Sequence, residues 1–294
     1  MIYETIQAHQ ENGSQLGLQP ACQTLGISRA AFMNWQDHKS PDRKACEPEV
    51  LEAIQDIAGD FTRYGYRRIT KQLQRDGLKV NHKKVLRITR QNGLLCKRKK
   101  PFKPSTTQSN HGLRTYPNLI KNIQVVKLNQ VWVADITYIA LGHGFVYLAA
   151  ILDIYSRKCI GWQLSFDINA QLCLDALNMA IKDRKEISLK DVIHHSDQGV
   201  QYASHDYVKQ LEENGLRVSM SRKACPTDNA FAESFMKTFK YEEVYLTEYA
   251  SFKDAYKNVK QFIEDVYNKK RLHSSIGYKP PNEFEREVLK NIVA

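Results

Sequence analysis

Residues 131–140 read Val-Trp-Val-Ala-Asp-Ile-Thr-Tyr-Ile-Ala, an apolar, β-branched and aromatic run with one carboxylate, Asp135, at its centre. A run of this kind folds as a buried strand. Side chains alternate faces along a strand, so Asp135 shares its face with Val133 and Thr137. Burying an ionised carboxylate among such neighbours is costly unless a cation or dense hydrogen bonding compensates it. On this segment alone, a strand-end cap or an arginine partner is the plain alternative. Two carboxylates further along the chain weigh against it.

The residues that follow make a compact α/β pattern. Residues 144–153 and 157–165 read as two more strands, joined by a tight turn at Ile154-Tyr155-Ser156, so the first three strands form an antiparallel meander. Residues 169–186 have helical periodicity, and 191–195 form a short strand that delivers Ser196-Asp197-Gln198-Gly199. A helix over 204–214 ends at Gly215, and 217–220 is a fifth strand. After a loop of small and polar residues, a helix from Ala230 carries Glu233. Three antiparallel strands, helix, strand, helix and strand is the element order of the ribonuclease-H-like fold. The predicted class is therefore α/β: a mixed five-stranded sheet with flanking helices, preceded by all-α helix-turn-helix modules.

Charge is distributed unevenly upstream of the sheet. Residues 61–103 hold fifteen Lys or Arg and a single acid, Asp76, so this stretch is +14 within a chain of net +11. A segment this basic beside a slightly acidic remainder reads as a nucleic-acid contact surface, with a solvated charge face as the alternative. Tyr64-Gly65-Tyr66-Arg67-Arg68 leads into a helix with Ile69 and Leu73 on one face, and Asp76-Gly77 breaks it. Asn81 caps a second helix, whose core side is Val85, Leu86 and Ile88 and whose cations are Lys83, Lys84, Arg87 and Arg90. A recognition helix needs this division of labour. Residues 1–57 are also helical, with a weaker helix-turn-helix pattern around Gly26 and Ser28 and a linker at 39–44. The domain reading is thus 1–57 helical, 58–96 basic helix-turn-helix, 97–127 basic linker, and 128–290 the α/β core with carboxy-terminal helices.

Several classes are excluded or disfavoured. The 42% hydrophobic share in 294 residues suits a globular chain, and no apolar run approaches a membrane span. Six scattered cysteines form no Cys-x-x-Cys pair, against a zinc finger or a disulfide framework and consistent with a reducing cytoplasm.

Asp135, Asp197 and Glu233 are each unremarkable alone: Asp197 can cap a turn, and Glu233 can pair with Lys237. Two-metal phosphoryl transfer, however, needs several carboxylates converging on two divalent ions about 4 Å apart. Between Asp197 and Glu233 lie 35 residues, flanked by His-Ser-Asp-Gln-Gly-Val-Gln-Tyr and Asp-Asn-Ala-Phe-Ala-Glu-Ser-Phe. With Trp132 to Tyr138, Leu152 to Arg157, Ser219 to Lys223, Tyr267 to His273, Pro281 and the Tyr64 to Arg68 module, this resembles the Asp-Asp-Glu core of insertion-sequence transposases. It looks most like the second-frame (OrfB-type) product of the IS-three family, relatives of retroviral integrases.

That resemblance implies a DNA transposase that nicks element ends with activated water and then joins the freed 3′-hydroxyl to another phosphodiester. It implies Asp135, Asp197 and Glu233 as catalytic residues and as ligands of two Mg2+ or Mn2+ ions. It further implies double-stranded DNA as partner, a homo-multimer on paired ends, and an upstream first-frame protein or frameshift fusion, in a bacterial, nucleoid-associated setting. The loop Ala224-Cys225-Pro226-Thr227 departs from the glycine and asparagine common in the family, and the zinc module of retroviral integrases is absent. A ribonuclease-H-like nuclease and a non-catalytic regulator of the element are the alternatives, separated by strand transfer and by magnesium-dependent activity.

Around the proposed site, Asp153 reads as a turn-stabilising carboxylate, and at least one of His194 and His195 as core. His273, with Asn268 and Arg271, reads as a DNA-facing or supporting cluster. At about 100° per residue, Lys237 and Lys240 flank Glu233 on its helix, as lysines four and seven residues after the glutamate do in retroviral integrases. Phe231, Phe235 and Phe239 are expected to pack inward on the opposite face.

Overall fold

The computed structural model describes residues 2–11, 17–39, 48–96, 112–185, 188–223 and 225–293. Helices α1 (Ile2–Glu11), α2 (Leu18–Thr24) and α3 (Arg29–Lys39) close on Ile6, Cys22 and Phe32. The Ser28 hydroxyl accepts from the Ala31 N–H at 3.0 Å, the cap expected at the start of α3. The 39–44 linker lies almost wholly outside the described residues.

The next module is α4 (Pro48–Asp60), α5 (Tyr66–Arg75) and α6 (His82–Gln91). Asn81 caps α6 by accepting from the Lys84 N–H at 2.9 Å, and Gly93 follows with φ 67°, a left-handed stop that favours glycine. Val50, Ile54 and Ile57 of α4 share one core with Ile69, Leu73, Val85 and Ile88. The boundary drawn at residue 57 therefore cuts a helix of this module, which begins at Pro48. A helical period does not say which neighbour a helix packs on, so the sequence leaves this helix with the preceding unit.

The run at 131–140 is strand β1 (Val131–Ala140), followed by β2 (Phe145–Asp153) and β3 (Cys159–Ser165) in an antiparallel meander. Helix α7 (Ala170–Asp183) crosses to β4 (Ile193–Ser196), which pairs parallel to β1. Helices α8 (Val200–Ala203) and α9 (His205–Glu213) lead to β5 (Arg217–Met220), parallel to β4. The sheet order is β3-β2-β1-β4-β5, the mixed ribonuclease-H-like arrangement. Trp132 and Ala134 face a core shared with α7 and α9, while Val131, Val133 and Ile139 face a core shared with α10 (Ala230–Phe239) and α11 (Phe252–Gln261).

Two expectations change here. The buried stripe of α10 is Ala232, Phe235, Met236 and Phe239; Phe231, in the first turn, is 38% exposed and holds the Arg157 guanidinium 4.3 Å from its ring. Residues 97–127 are not linker throughout. Leu119, Ile120, Ile123 and Val125 pack on the α10-side core, and the Leu119 N–H donates to Ser219 Oγ at 2.9 Å. The basic cluster 97–100 lies outside the described residues.

The carboxy-terminal segment clasps both halves. Leu272 is buried in the α4–α6 core, and its N–H donates to the Tyr64 hydroxyl at 2.7 Å. Glu283, in α12 (Pro281–Val293), pairs with Arg75 at 2.6 Å. Glu285 is buried, accepting from Ser156 Oγ at 2.7 Å and from Arg184 through both its oxygens. Removing one partner of a buried pair strands the other charge, so Glu285→Ala is expected to destabilise the chain by about 3–5 kcal/mol. Denaturant unfolding of the two proteins checks this; a loss under about 1 kcal/mol, the surface-pair range, would show Arg184 to be solvated instead.

Candidate active site

The register of two strands brings the first two carboxylates together. Val133 lies opposite His195 in the parallel β1–β4 ladder, so Asp135 and Asp197, each two residues further on, emerge side by side. Asp135 is partly buried, and one of its oxygens accepts from the Ile136 N–H at 2.8 Å. Asp197 Oδ1 accepts from the Gly199 N–H at 2.9 Å. A Cβ at Gly199 would stand 2.9 Å from that same oxygen, so the turn admits the Asp197 carboxylate because residue 199 has no side chain.

Glu233 arrives from the first turn of α10, whose start is tied to the sheet. Asn229, buried just before the helix, donates from Nδ2 to the Ala134 carbonyl at 2.9 Å, the peptide that precedes Asp135. Arg222 grips Asp228 with two side-chain bonds of 3.0 Å and bonds it again through its backbone N–H, fixing the loop between β5 and α10. Asn229 is the positioning residue the sequence did not single out. Its only signal is a polar side chain beside Asp228 in front of an amphipathic helix, which reads equally well as an ordinary cap.

Asp135 feels both of the other carboxylates. Burial pushes the Asp135 carboxyl up to about 7, and the nearby charges of Asp197 and then Glu233 push the same way. Among the described residues, no three His, Cys, Asp or Glu side chains stand grouped as a metal site. The donors nonetheless fit a hard divalent cation: carboxylate oxygens only, one of them held ionised at a cost that a cation would remove. Histidines are not available. His194 is fully buried with Nε2 3.0 Å from the Tyr207 hydroxyl, and His195 is held between Ser219 and Ser221 at 2.8 and 3.0 Å. Burial pushes their pKa values down to about 3 and about 4, so both are neutral core residues. Asp153 is also structural, accepting from the N–H groups of Asn129, Tyr155 and Ser156 at the β2–β3 turn.

Of the cations expected on DNA, Lys237 is exposed on α10, whereas Lys240 is half-buried with its ammonium 4.0 Å from the Tyr138 ring. It is near enough to Asp135 to interact electrostatically, so it sits inside the rim. Lys83 and Arg90 are exposed on α6, and Lys84 and Arg87 partly so. Arg67 is exposed beside Tyr66, but Arg68 turns inward over Tyr64, 5.4 Å from its ring, and lines a recessed pocket. The sequence read the adjacent arginines alike, although neighbours on a helix face about 100° apart.

A mixed sheet with one aspartate within its central strand, a second just past the parallel neighbour and a glutamate on the helix packed against them, behind a basic helical module, is the arrangement of an integrase core. Family models for an integrase core domain match residues 126–226 and 214–281, and one for an HTH-like domain matches 46–102. The chain is 35% identical over 296 residues, 98% of itself and 100% of the relative, to "Transposase InsF for insertion sequence IS3A" of Escherichia coli K12. It is 36% identical over 269 residues, 90% of itself and 97% of the relative, to the "Insertion element IS600 uncharacterized 31 kDa protein" of Shigella sonnei. The catalytic core domain of BIV integrase aligns at 17% identity and a TM-score of 0.40, over 56% of this chain and 99% of that one. The chain belongs to the IS-three family of insertion-sequence transposases.

The raised Asp135 carboxyl gives a stability prediction whose sign is opposite to that of a salt-bridged acid. Below its unfolded value of 3.8 the group is neutral in both states and costs nothing. As pH rises towards about 7 the unfolded chain ionises first, and stability falls. Asp135→Asn should therefore raise the melting temperature of chelator-treated protein at about pH 8 and leave it unchanged at about pH 4. Equal melting of variant and wild type at both pH values would show that Asp135 carries no electrostatic penalty.

Proposed function

We propose that Asp135, Asp197 and Glu233 are the catalytic carboxylates of this transposase and hold two divalent ions, Mg2+ or Mn2+. The observation that carries the reading is the parallel β1–β4 register, which sets Asp135 and Asp197 side by side, with Glu233 on α10 near enough to Asp135 to push its carboxyl up as Asp197 does. Divalent ions at these oxygens would polarise the scissile phosphate and lower the proton affinity of an attacking water or 3′-hydroxyl. The protein's part is to fix the donors. The β1–β4 ladder holds Asp135 and Asp197, and the Asn229 tether holds the turn that bears Glu233. Lys237 and Lys240 approach the DNA phosphates beside the site, with Lys240 steadied on Tyr138. No side chain need act as a covalent nucleophile in the cleavage and strand-transfer reactions of the family.

In the same reading, residues 48–96 grip the element's terminal repeat through Arg67, Lys83, Lys84, Arg87 and Arg90. Residues 2–39 form a separate helical unit, and 112–290 carry the chemistry. The transposase acts on DNA as a multimer; we further propose that it pairs two element ends, and that an upstream first-frame protein, or a frameshift fusion with it, completes end recognition at the bacterial nucleoid.

Asp135→Asn, Asp197→Asn and Glu233→Gln each keep shape and remove a metal-binding charge. Each should lower end cleavage and strand transfer by roughly three orders of magnitude or more while leaving DNA affinity within a few fold. Near-normal turnover by any one variant would remove that residue from the site. Lys237→Ala with Lys240→Ala should impair end cleavage far more than thermal stability, both read on one preparation. Unchanged cleavage would return the two lysines to the solvated surface.

A further inference from the structure

Behind α10, on the side away from the exposed Lys237, lies a cavity of about 140 Å3 with walls from every part of the chain that the carboxy-terminal clasp brings together. Arg68 comes from α5, Arg157 from the turn before β3, Thr238 from α10, and Arg271, His273 and Ser275 from the segment before α12. Three guanidinium groups around one recessed pocket are costly unless something compensates them. Arg271 is compensated, since Glu242 accepts from it twice, at 2.6 and 2.8 Å. The acid that lines the cavity, Asp153, has turned its oxygens to backbone N–H groups.

Arg68 and Arg157 are different. Each lies over an aromatic ring, Tyr64 and Phe231, and among the described residues neither forms an ion pair. Arg157 Nε is buried without a hydrogen-bond partner, the kind of orphan donor that folded proteins rarely leave. Burial lowers the pKa of both, and for Arg68 the neighbouring Arg271 lowers it further. His273 is pushed far down by burial and by all three arginines, so it remains neutral and adds hydrogen-bonding capacity without charge. Ser274 and Ser275 stand exposed at the mouth.

We infer that this cavity binds a phosphoryl oxyanion, with Arg157 and Arg68 as its charged donors and the Ser274–Ser275 hydroxyls at its entrance. Forked guanidinium donors match phosphate oxygens better than a point charge does. The source is either a backbone phosphodiester of bound DNA or free phosphate, and the chemistry of recognition is the same. A backbone phosphate seated there would touch the helix-turn-helix module through Arg68 and the Glu233 helix through Thr238 at once. It would thereby set the register between end recognition and the cutting site. Only this DNA-backbone source rests on the transposase reading above; oxyanion binding itself does not.

The test uses the full chain, in chelator so that no cleavage occurs, as wild type, Arg157→Gln, Arg157→Lys and Ser275→Asp. The last variant places a carboxylate at the mouth and serves if Arg157→Gln folds poorly. Melting is compared in inorganic phosphate and in chloride at equal ionic strength, and binding to an element-end duplex is measured across salt concentrations. Phosphate should raise the melting temperature of the wild type, and should do so much less for Arg157→Gln and Ser275→Asp, with Arg157→Lys between. If the source is the DNA backbone, the slope of log K against log salt should also shrink by roughly 0.9, one phosphate's worth, in both variants. Lost phosphate protection with an unchanged slope assigns the site to free phosphate; a reduced slope assigns it to the backbone. Equal phosphate protection in all four proteins, together with equal slopes, would overturn the proposal by leaving only a general salt effect. Neither arm reads catalysis, so failure of the carboxylate assignment would appear separately, as intact cleavage by Asp135→Asn.

Discussion

Asp135 sits on the central strand of a sheet, its carboxyl raised to about 7 by burial and by the two carboxylates that the fold brings beside it. Most of the surrounding architecture can be read as what is needed to sustain that repulsion. The parallel β1–β4 ladder fixes two of the acids two residues beyond a paired position. The third rides on a helix whose apolar stripe, Ala232 to Phe239, is buried against the sheet, so packing opposes its withdrawal. On the proposed reading, a group of like charges kept together at the expense of stability is where a divalent cation enters. The neutral, hydrogen-bonded histidines next to it confine that entry to oxygen ligands.

Helix α10 works in two directions. One side presents Glu233 towards Asp135, while Phe235 and Thr238 line the arginine cavity together with Arg68 of α5. The clasp makes this possible, because Leu272 is as much a core residue of the helix-turn-helix module as Ile69 or Leu73. A hydrogen bond from its backbone to Tyr64, and the Arg75–Glu283 pair above it, hold the module in one orientation on the core. The surface pair contributes little by itself. The buried leucine and the satisfied Tyr64 hydroxyl are the stronger constraints.

The sheet was legible because its signals are local. An apolar run with β-branched residues, a tight turn at 154–156 and a glycine at 215 each constrain a few neighbouring residues, and the strands fall within one or two residues of expectation. The carboxylates were legible by spacing and by likeness to a family rather than by any local cost. What escaped the sequence is long-range. That α4 belongs with α5, that residues 119–125 lie on the core, and that Leu272 fills a gap among helices some 200 positions earlier are facts of partner choice, which hydrophobic period does not encode. Arg68 escaped for a related reason: its charge was counted, but its direction depends on Tyr64 and on a segment near the far end of the chain.

The same long-range packing bears on how end recognition can reach the chemistry. If the basic module were tethered only by its linker, a DNA end gripped by α6 could sample many orientations relative to Asp135. Positioning would then have to be supplied by the active site itself. Here the module shares buried side chains with the segment that also packs beside α10, so on the proposed reading holding the end and aligning the carboxylates are not independent events. Effective molarity depends on such fixed geometry, and small displacements of a reacting phosphate are costly in rate. A substitution at Leu272, far in sequence from every acid and every basic helix, would loosen both at once. That makes the clasp, rather than either domain alone, the element that turns a DNA-binding module and a carboxylate cluster into one enzyme.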